Sequence, residues 1–158
     1  MSHTKMHVRK ATSLLKEDHQ AVKKLFQEYE KIDGAEGRRR EDIFERIKTL
    51  LTIHARIEEE IFYPAVERAQ DEEAGDLVRE AQEEHRLVKM LLEELSGLTP
   101  GEETFEAKMK VLKENVLHHA EEEQNDIFPV FDELDRVERD DVSERLQSRK
   151  RELSGEQQ

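Results

Sequence analysis

A histidine followed four residues later by a glutamate occurs as His54 and Glu58 in HARIEEEIFYP, and again as His119 and Glu123 in HAEEEQNDIFP. At a matching offset each pair is followed by a proline, Pro64 or Pro129. On a helix, positions i and i+4 share a face, with Cβ atoms about 5–6 Å apart. That spacing suits two ligands of one metal centre. A further histidine stands upstream of each pair: His19 precedes His54 by 35 residues, and His85 precedes His119 by 34. The flanks match too, KEDHQAVKKLF around His19 against QEEHRLVKMLL around His85. The chain therefore reads as two helical hairpins, the second a variant of the first. An approximate two-fold axis should relate them, with each hairpin giving two His and one Glu to a shared centre.

Four imidazoles and two carboxylates facing one another suit a dinuclear metal site. A carboxylate can bridge two metals with one oxygen on each. If both bridge, each metal has two nitrogens and two oxygens, a solvent-derived bridge adds a fifth ligand, and one position per metal stays open for O2, peroxide, NO or water. The chain has no cysteine, which excludes thiolate zinc sites, iron–sulfur clusters, disulfides and cysteine nucleophiles. A nitrogen and oxygen donor set suits iron or manganese. Zinc also binds imidazole but prefers four ligands at one ion, and no HExxH is present.

These residues need helices to carry them, and the apolar spacing supplies four. Leu15, His19, Val22, Phe26 and Tyr29 form one stripe. Ile43, Ile47, Leu50, His54, Ile57/Glu58 and Ile61 form the second, and Val78, Ala81, His85, Val88, Leu92 and Leu95 the third. Phe105, Met109, Leu112, Val116, His119, Glu123 and Ile127 form the fourth. Steps of three and four mark helices buried along one face. DGAEG at 33–37, DEEAG at 71–75 and SGLTPG at 96–101 read as the breaks between them. The expectation is an all-α, up-down-up-down four-helix bundle over residues 10–135. Residues 136–158 should form a C-terminal helical extension with a frayed SGEQQ end, packed across the bundle or against another subunit. Each mid-helix proline either kinks its helix beyond the ligand carboxylate or starts a new short helix.

A single inward histidine is usually a hydrogen-bonded core residue. Four of them, one per helix, with two inward glutamates and no inward Lys or Arg to pair them, are not, because buried unpaired carboxylates are costly. His118, rotated about 100° from His119, is expected off the ligand set. Glu59, Glu60, Glu121 and Glu122 are expected on the solvated face, Tyr29 and Tyr63 at core or rim, and His3 and His7 at the surface before the first helix. The net charge of −13 argues against nucleic acid and against anionic membrane surfaces. No apolar run approaches a membrane span, and the MSHTKMHVRK start lacks the apolar core of a signal peptide. A cytoplasmic monomer or homodimer is the expectation.

The two H-x3-E segments followed by proline, with His19 in LKEDHQAV and His85 in EEHRLVK, closely resemble the hemerythrin-like (HHE cation-binding) family over roughly residues 10–133. The resemblance implies a four-helix bundle holding two non-haem iron ions bridged by two carboxylates and an oxo or hydroxo group, with His19, His54, Glu58, His85, His119 and Glu123 as ligands. It implies a small diatomic ligand or peroxide as partner, with roles from oxygen carriage and sensing to iron handling and stress responses. One departure matters. Oxygen-carrying members usually have a fifth histidine one turn from the third-helix histidine, where this chain has Ala81 and Lys89. The expected function is a di-iron protein that binds or senses O2, NO or peroxide. The alternatives are a di-iron enzyme, peroxidase-like, catalase-like or ferroxidase, and a non-catalytic iron-handling bundle.

Overall fold

The computed structural model describes residues 9–34, 36–69 and 71–156; His3 and His7 lie outside them. Helix α1 spans Ala11–Glu30, α2 Gly37–Ile57, α4 Glu72–Ser96 and α5 Glu103–Glu122. Among the described residues there is no strand. α1 packs on α2 and α4 on α5, and the hairpins meet along α1–α5 and α2–α4. This is the expected bundle.

The breaks have local causes. Gly34 at φ 64° and Gly101 at φ 98° take the left-handed conformation that side chains resist, in the turns before α2 and α5. The third break is shorter than expected. Asp71 is the N-cap of α4, and its side chain accepts hydrogen bonds from the Glu73 and Ala74 amides. Glu72–Gly75 are therefore the first turn of the helix rather than loop.

Neither α2 nor α5 simply stops at its proline. Each passes into one π-helical turn, Glu58–Phe62 or Glu123–Ile127, and then into a short helix, α3 (Tyr63–Glu67) or α6 (Phe128–Asp132). Tyr63 N–H bonds back five residues to the Glu58 carbonyl, and Phe128 N–H does the same to Glu123. Pro64 and Pro129 then fall in the first turn of the next helix, where a missing N–H is tolerated. π turns are rare and occur often at functional sites. Here each begins on a candidate ligand glutamate.

Helix α7 spans Arg136–Glu156, so Ser154 and Gly155 continue a helix where fraying was expected. It lies against α1, α2 and the first π turn and buries Val142, Leu146 and Leu153. Burial at about 1.5–3 kcal/mol for each fully buried aliphatic side chain favours this docking.

The apolar interior is in two parts. One holds Ala11, Leu14, Leu15, Ile53, Ile57, Phe62 and Phe131 with the α7 residues. The other holds Val22, Phe26, Ile47, Leu51, Leu95, Phe105 and Leu112. Asp18 and His19 fall between the two sets on α1, and His54 lies at their junction on α2. A polar layer thus crosses the middle of the bundle.

Candidate metal centre

That layer contains all six residues singled out by spacing. Glu58 and Glu123 are fully buried at 0% exposure, and His19, His54, His85 and His119 are 6–9% exposed. All four imidazoles turn Nε2 toward the two carboxylates. His19 Nε2 is 3.1 Å from Glu123 Oε1, and His54 Nε2 is 3.1 Å from Glu58 Oε1. His85 Nε2 is 3.2 Å from Glu58 Oε1, and His119 Nε2 is 3.3 Å from Glu123 Oε2. Glu58 and Glu123 therefore each touch histidines of both hairpins. Two groups of donors result, sharing Glu123: Glu58, His85, His119 and Glu123, and His19, His54 and Glu123, with the donor atoms of each within 4.8 Å of one another.

Three of the four outward nitrogens are hydrogen-bonded from behind. His54 Nδ1 is 2.9 Å from Asp18 Oδ2, and His119 Nδ1 is 2.7 Å from Glu84 Oε1. His19 Nδ1 is 2.7 Å from Gln124 Oε1, whereas His85 Nδ1 has no hydrogen bond, its facing carboxylate oxygen Glu59 Oε2 standing 3.8 Å away. Acceptors at these three Nδ1 atoms hold a proton there, so Nε2 is the nitrogen left for a cation to take, the arrangement of metal-binding histidines. The pattern repeats across the hairpins. The residue before the first histidine, Asp18 or Glu84, faces the second histidine of its own hairpin. The residue after the candidate ligand glutamate, Glu59 or Gln124, faces the first histidine of the other hairpin. Glu59 is thus half-exposed yet turned toward His85, while Glu60 binds Arg56 and Arg149 outside the centre.

Tyr63 is the residue whose role spacing understates. It is fully buried, as a core residue should be, but its hydroxyl donates to Glu123 Oε2 at 2.6 Å and lies 3.3 Å from Glu58 Oε1. It is also 3.2 Å from His85 Nε2 and 3.4 Å from His119 Nε2. The π turn explains this. Five residues on a regular helix turn a side chain about 140° off the starting face; the extra residue in the turn brings Tyr63 back onto the face of Glu58. Its counterpart in the second hairpin is Phe128, which stacks on His19 with ring centroids 6.0 Å apart. Tyr29 is remote and donates to Glu106 at 2.7 Å. His118 points outward, its side chain 68% exposed and 3.5 Å from Glu122.

The electrostatics among the side chains of this layer follow from its excess of carboxylate. Burial opposes charge on His54, His85 and His119, but the adjoining carboxylates outweigh it and raise all three. His119 is pushed up to about 10. Burial likewise opposes ionisation of Glu123, and hydrogen bonds from its neighbours hold it well below the usual carboxylate range. Burial and the two glutamates push the Tyr63 phenol well up, so it stays protonated at neutral pH.

These residues fit a cation. His19 Nε2, His54 Nε2, Glu58 Oε2 and Glu123 Oε1 are buried without a hydrogen bond, although His19 Nε2 and Glu123 Oε1 are only 3.1 Å apart. Buried polar atoms are rarely left unsatisfied. Donor atoms that are close but not aligned on one another are aimed at a common third point. A cleft of about 630 Å³ between α2 and α4 reaches all four histidines from solvent.

Residues 10–131 match the model of the hemerythrin HHE cation binding domain. The chain belongs to this family. It is similar to the crystal structure of a hemerythrin HHE cation binding domain-containing protein from Mycobacterium kansasii, with 27% identity and a TM-score of 0.78 over 94% of this chain and 89% of that one. It is also 30% identical over 115 residues to a DNA nickase from Nostoc sp., a match covering 73% of this chain but 31% of the nickase, so the chain spans about a third of that relative's length. The family and the buried His/Glu layer together make this a metal-binding hemerythrin-like protein. No helix among the described residues is long and apolar enough to cross a membrane.

Proposed function

We propose that this hemerythrin-like chain holds two iron ions and binds or senses O2, NO or peroxide there, with His19, His54, Glu58, His85, His119 and Glu123 as ligands. The observation that carries the reading is the reach of both glutamates to histidines of both hairpins. A single ion at either donor group would leave two or three of the six residues idle. The ions supply redox chemistry and an open coordination position when bound. The chain's own residues hold His19, His54 and His119 by Nδ1, flank the layer with the two apolar clusters and admit a small ligand through the cleft. Iron is favoured by the family and the donor set, and manganese fits the same donors.

Tyr63 favours a second reading, peroxide turnover. A phenol within hydrogen-bond reach of both carboxylates can hold or return a proton beside the place a peroxide would occupy. The Nostoc relative's nickase activity we leave with that larger protein, because a net charge of −13 opposes a phosphate backbone.

The test is metal content per chain with an optical spectrum, on protein purified without chelators, before and after dithionite and then air. Two irons with near-ultraviolet bands that bleach and return are expected. No metal, or one zinc whose removal leaves stability unchanged, would sink the reading. Catalytic loss of H2O2 faster than with free iron would select the enzyme.

A further inference from the structure

Helix α7 lies past the 10–131 segment that matches the family. Its buried stripe runs Val142, Leu146 and Leu153. Lys150 falls on the same stripe, four residues after Leu146. A lysine at such a position is costly unless it has a partner. Lys150 Nζ is 2.6 Å from Asp18 Oδ1, and the other oxygen of that carboxylate is 2.9 Å from His54 Nδ1. Asp18 is 6% exposed in its side chain and Lys150 33%. The preceding residue, Arg149, binds Glu60 at 2.9 and 3.3 Å, inside the π turn that begins on Glu58. α7 therefore grips two points of the half-centre that carries His54. Glu84, which takes Asp18's place in the other hairpin, instead faces Glu122 and His118.

We propose that Lys150 is a positioning residue for one of the two metal positions, the one held by His19 and His54. The proposal rests on the dinuclear reading above. Lys150 fixes Oδ1 of Asp18, which leaves Oδ2 to accept from His54 Nδ1–H and points Nε2 at the glutamates. Without the ammonium, Asp18 is free to turn toward solvent and the imidazole loses its backstop. The effect is local, because α7 packs on α1, α2 and the first π turn rather than on α4 and α5, which carry His85 and His119.

The test uses the full-length, metal-free chain, titrated anaerobically with ferrous iron and separately with cobalt(II), whose visible bands report each binding step. Substitution K150M keeps the aliphatic stem and removes the charge. It should weaken one of the two steps about 10–100-fold, the usual cost of losing a group behind a ligand, and leave the other step unchanged. K150R should restore the affected step. D18N, nearly isosteric, should weaken the same step and serves if K150M folds poorly. Equal weakening of both steps, no change in either, or failure of K150R to rescue would overturn the proposal. If the wild type takes up two equivalents and K150M matches it, α7 has no role but the dinuclear reading stands. If the wild type takes up fewer than two, both fail.

Discussion

Replacing Tyr63 with phenylalanine removes one oxygen from the most enclosed part of the protein. Packing should survive, since Phe128 occupies the matching position of the second hairpin. What is lost is the 2.6 Å hydrogen bond to Glu123 Oε2. That oxygen keeps His119 Nε2 at 3.3 Å, so it is weakened rather than orphaned. A hydrogen bond to a charged group contributes about 1.5–3 kcal/mol. For a chain of this size each kcal/mol shifts the midpoint by about 2–4 °C, so metal-free Y63F should melt about 3–12 °C below the wild type. Thermal unfolding followed by circular dichroism at pH 7.5 measures it. Metal-free protein is the right sample, because bound ions would add their own stabilisation and mask the difference. A shift smaller than about 1 °C would refute the inference that the phenol is a working donor to Glu123.

Three further outcomes follow from the same geometry. Glu58→Ala and Glu123→Ala should each lower bound metal to one ion or none by elemental analysis, because each carboxylate touches both hairpins; retention of two by either variant would show that it does not bridge. His118→Ala should leave metal content unchanged by the same assay, given its outward side chain. The metal-free chain should lose stability as pH rises. His119, raised to about 10 from an unfolded value near 6.5, contributes stability that is full below the unfolded value and gone above the folded one. The urea midpoint should therefore fall between pH 6.5 and 10, and a rise would reverse the sign. Asp18 and Glu123, both lowered, act oppositely, their contribution present above the unfolded carboxylate range and lost in acid.

The stripes of threes and fours were enough to place the four helices, and the repeated offsets were enough to bring six residues into one layer. The misses share a cause. Tyr63 is five residues from Glu58, and a regular helical period turns it away; only an extra residue in the turn restores it, and a proline announces a disturbance without saying which kind. Asp18 and Glu84 were visible in the aligned EDH and EEH segments, but a carboxylate next to a histidine reads as surface until the neighbouring helix is known to present another imidazole there. Glu59 does lie on the solvated face, as its position implies, with one oxygen 3.8 Å from His85 Nδ1. Lys150 could have been noticed as a cation on an apolar stripe, yet nothing in α7's own sequence says which helix it meets. Periodicity reports which face is buried; it does not report what that face lies against.

Duplication alone would give two equivalent metal positions. The residues that break the repeat all break it in one direction. Beside His85 and His119 stand the Tyr63 phenol and two carboxylates, Glu59 and Glu84. Beside His19 and His54 stand the Phe128 ring, the Gln124 amide and a single carboxylate, Asp18, already paired with Lys150. Negative charge and extra donor atoms therefore concentrate on the His85–His119 side, and a divalent cation should fill that position first. The step that Lys150 governs is then the weaker one. Single-histidine variants separate the two by calorimetric titration of metal-free protein. His19→Ala should bind its first equivalent with wild-type affinity and lose the second. His85→Ala should lose the tight step. The reverse pattern would mean that the rigid backing of Asp18 by Lys150 outweighs the local charge, and that α7 makes its side of the centre the tighter one.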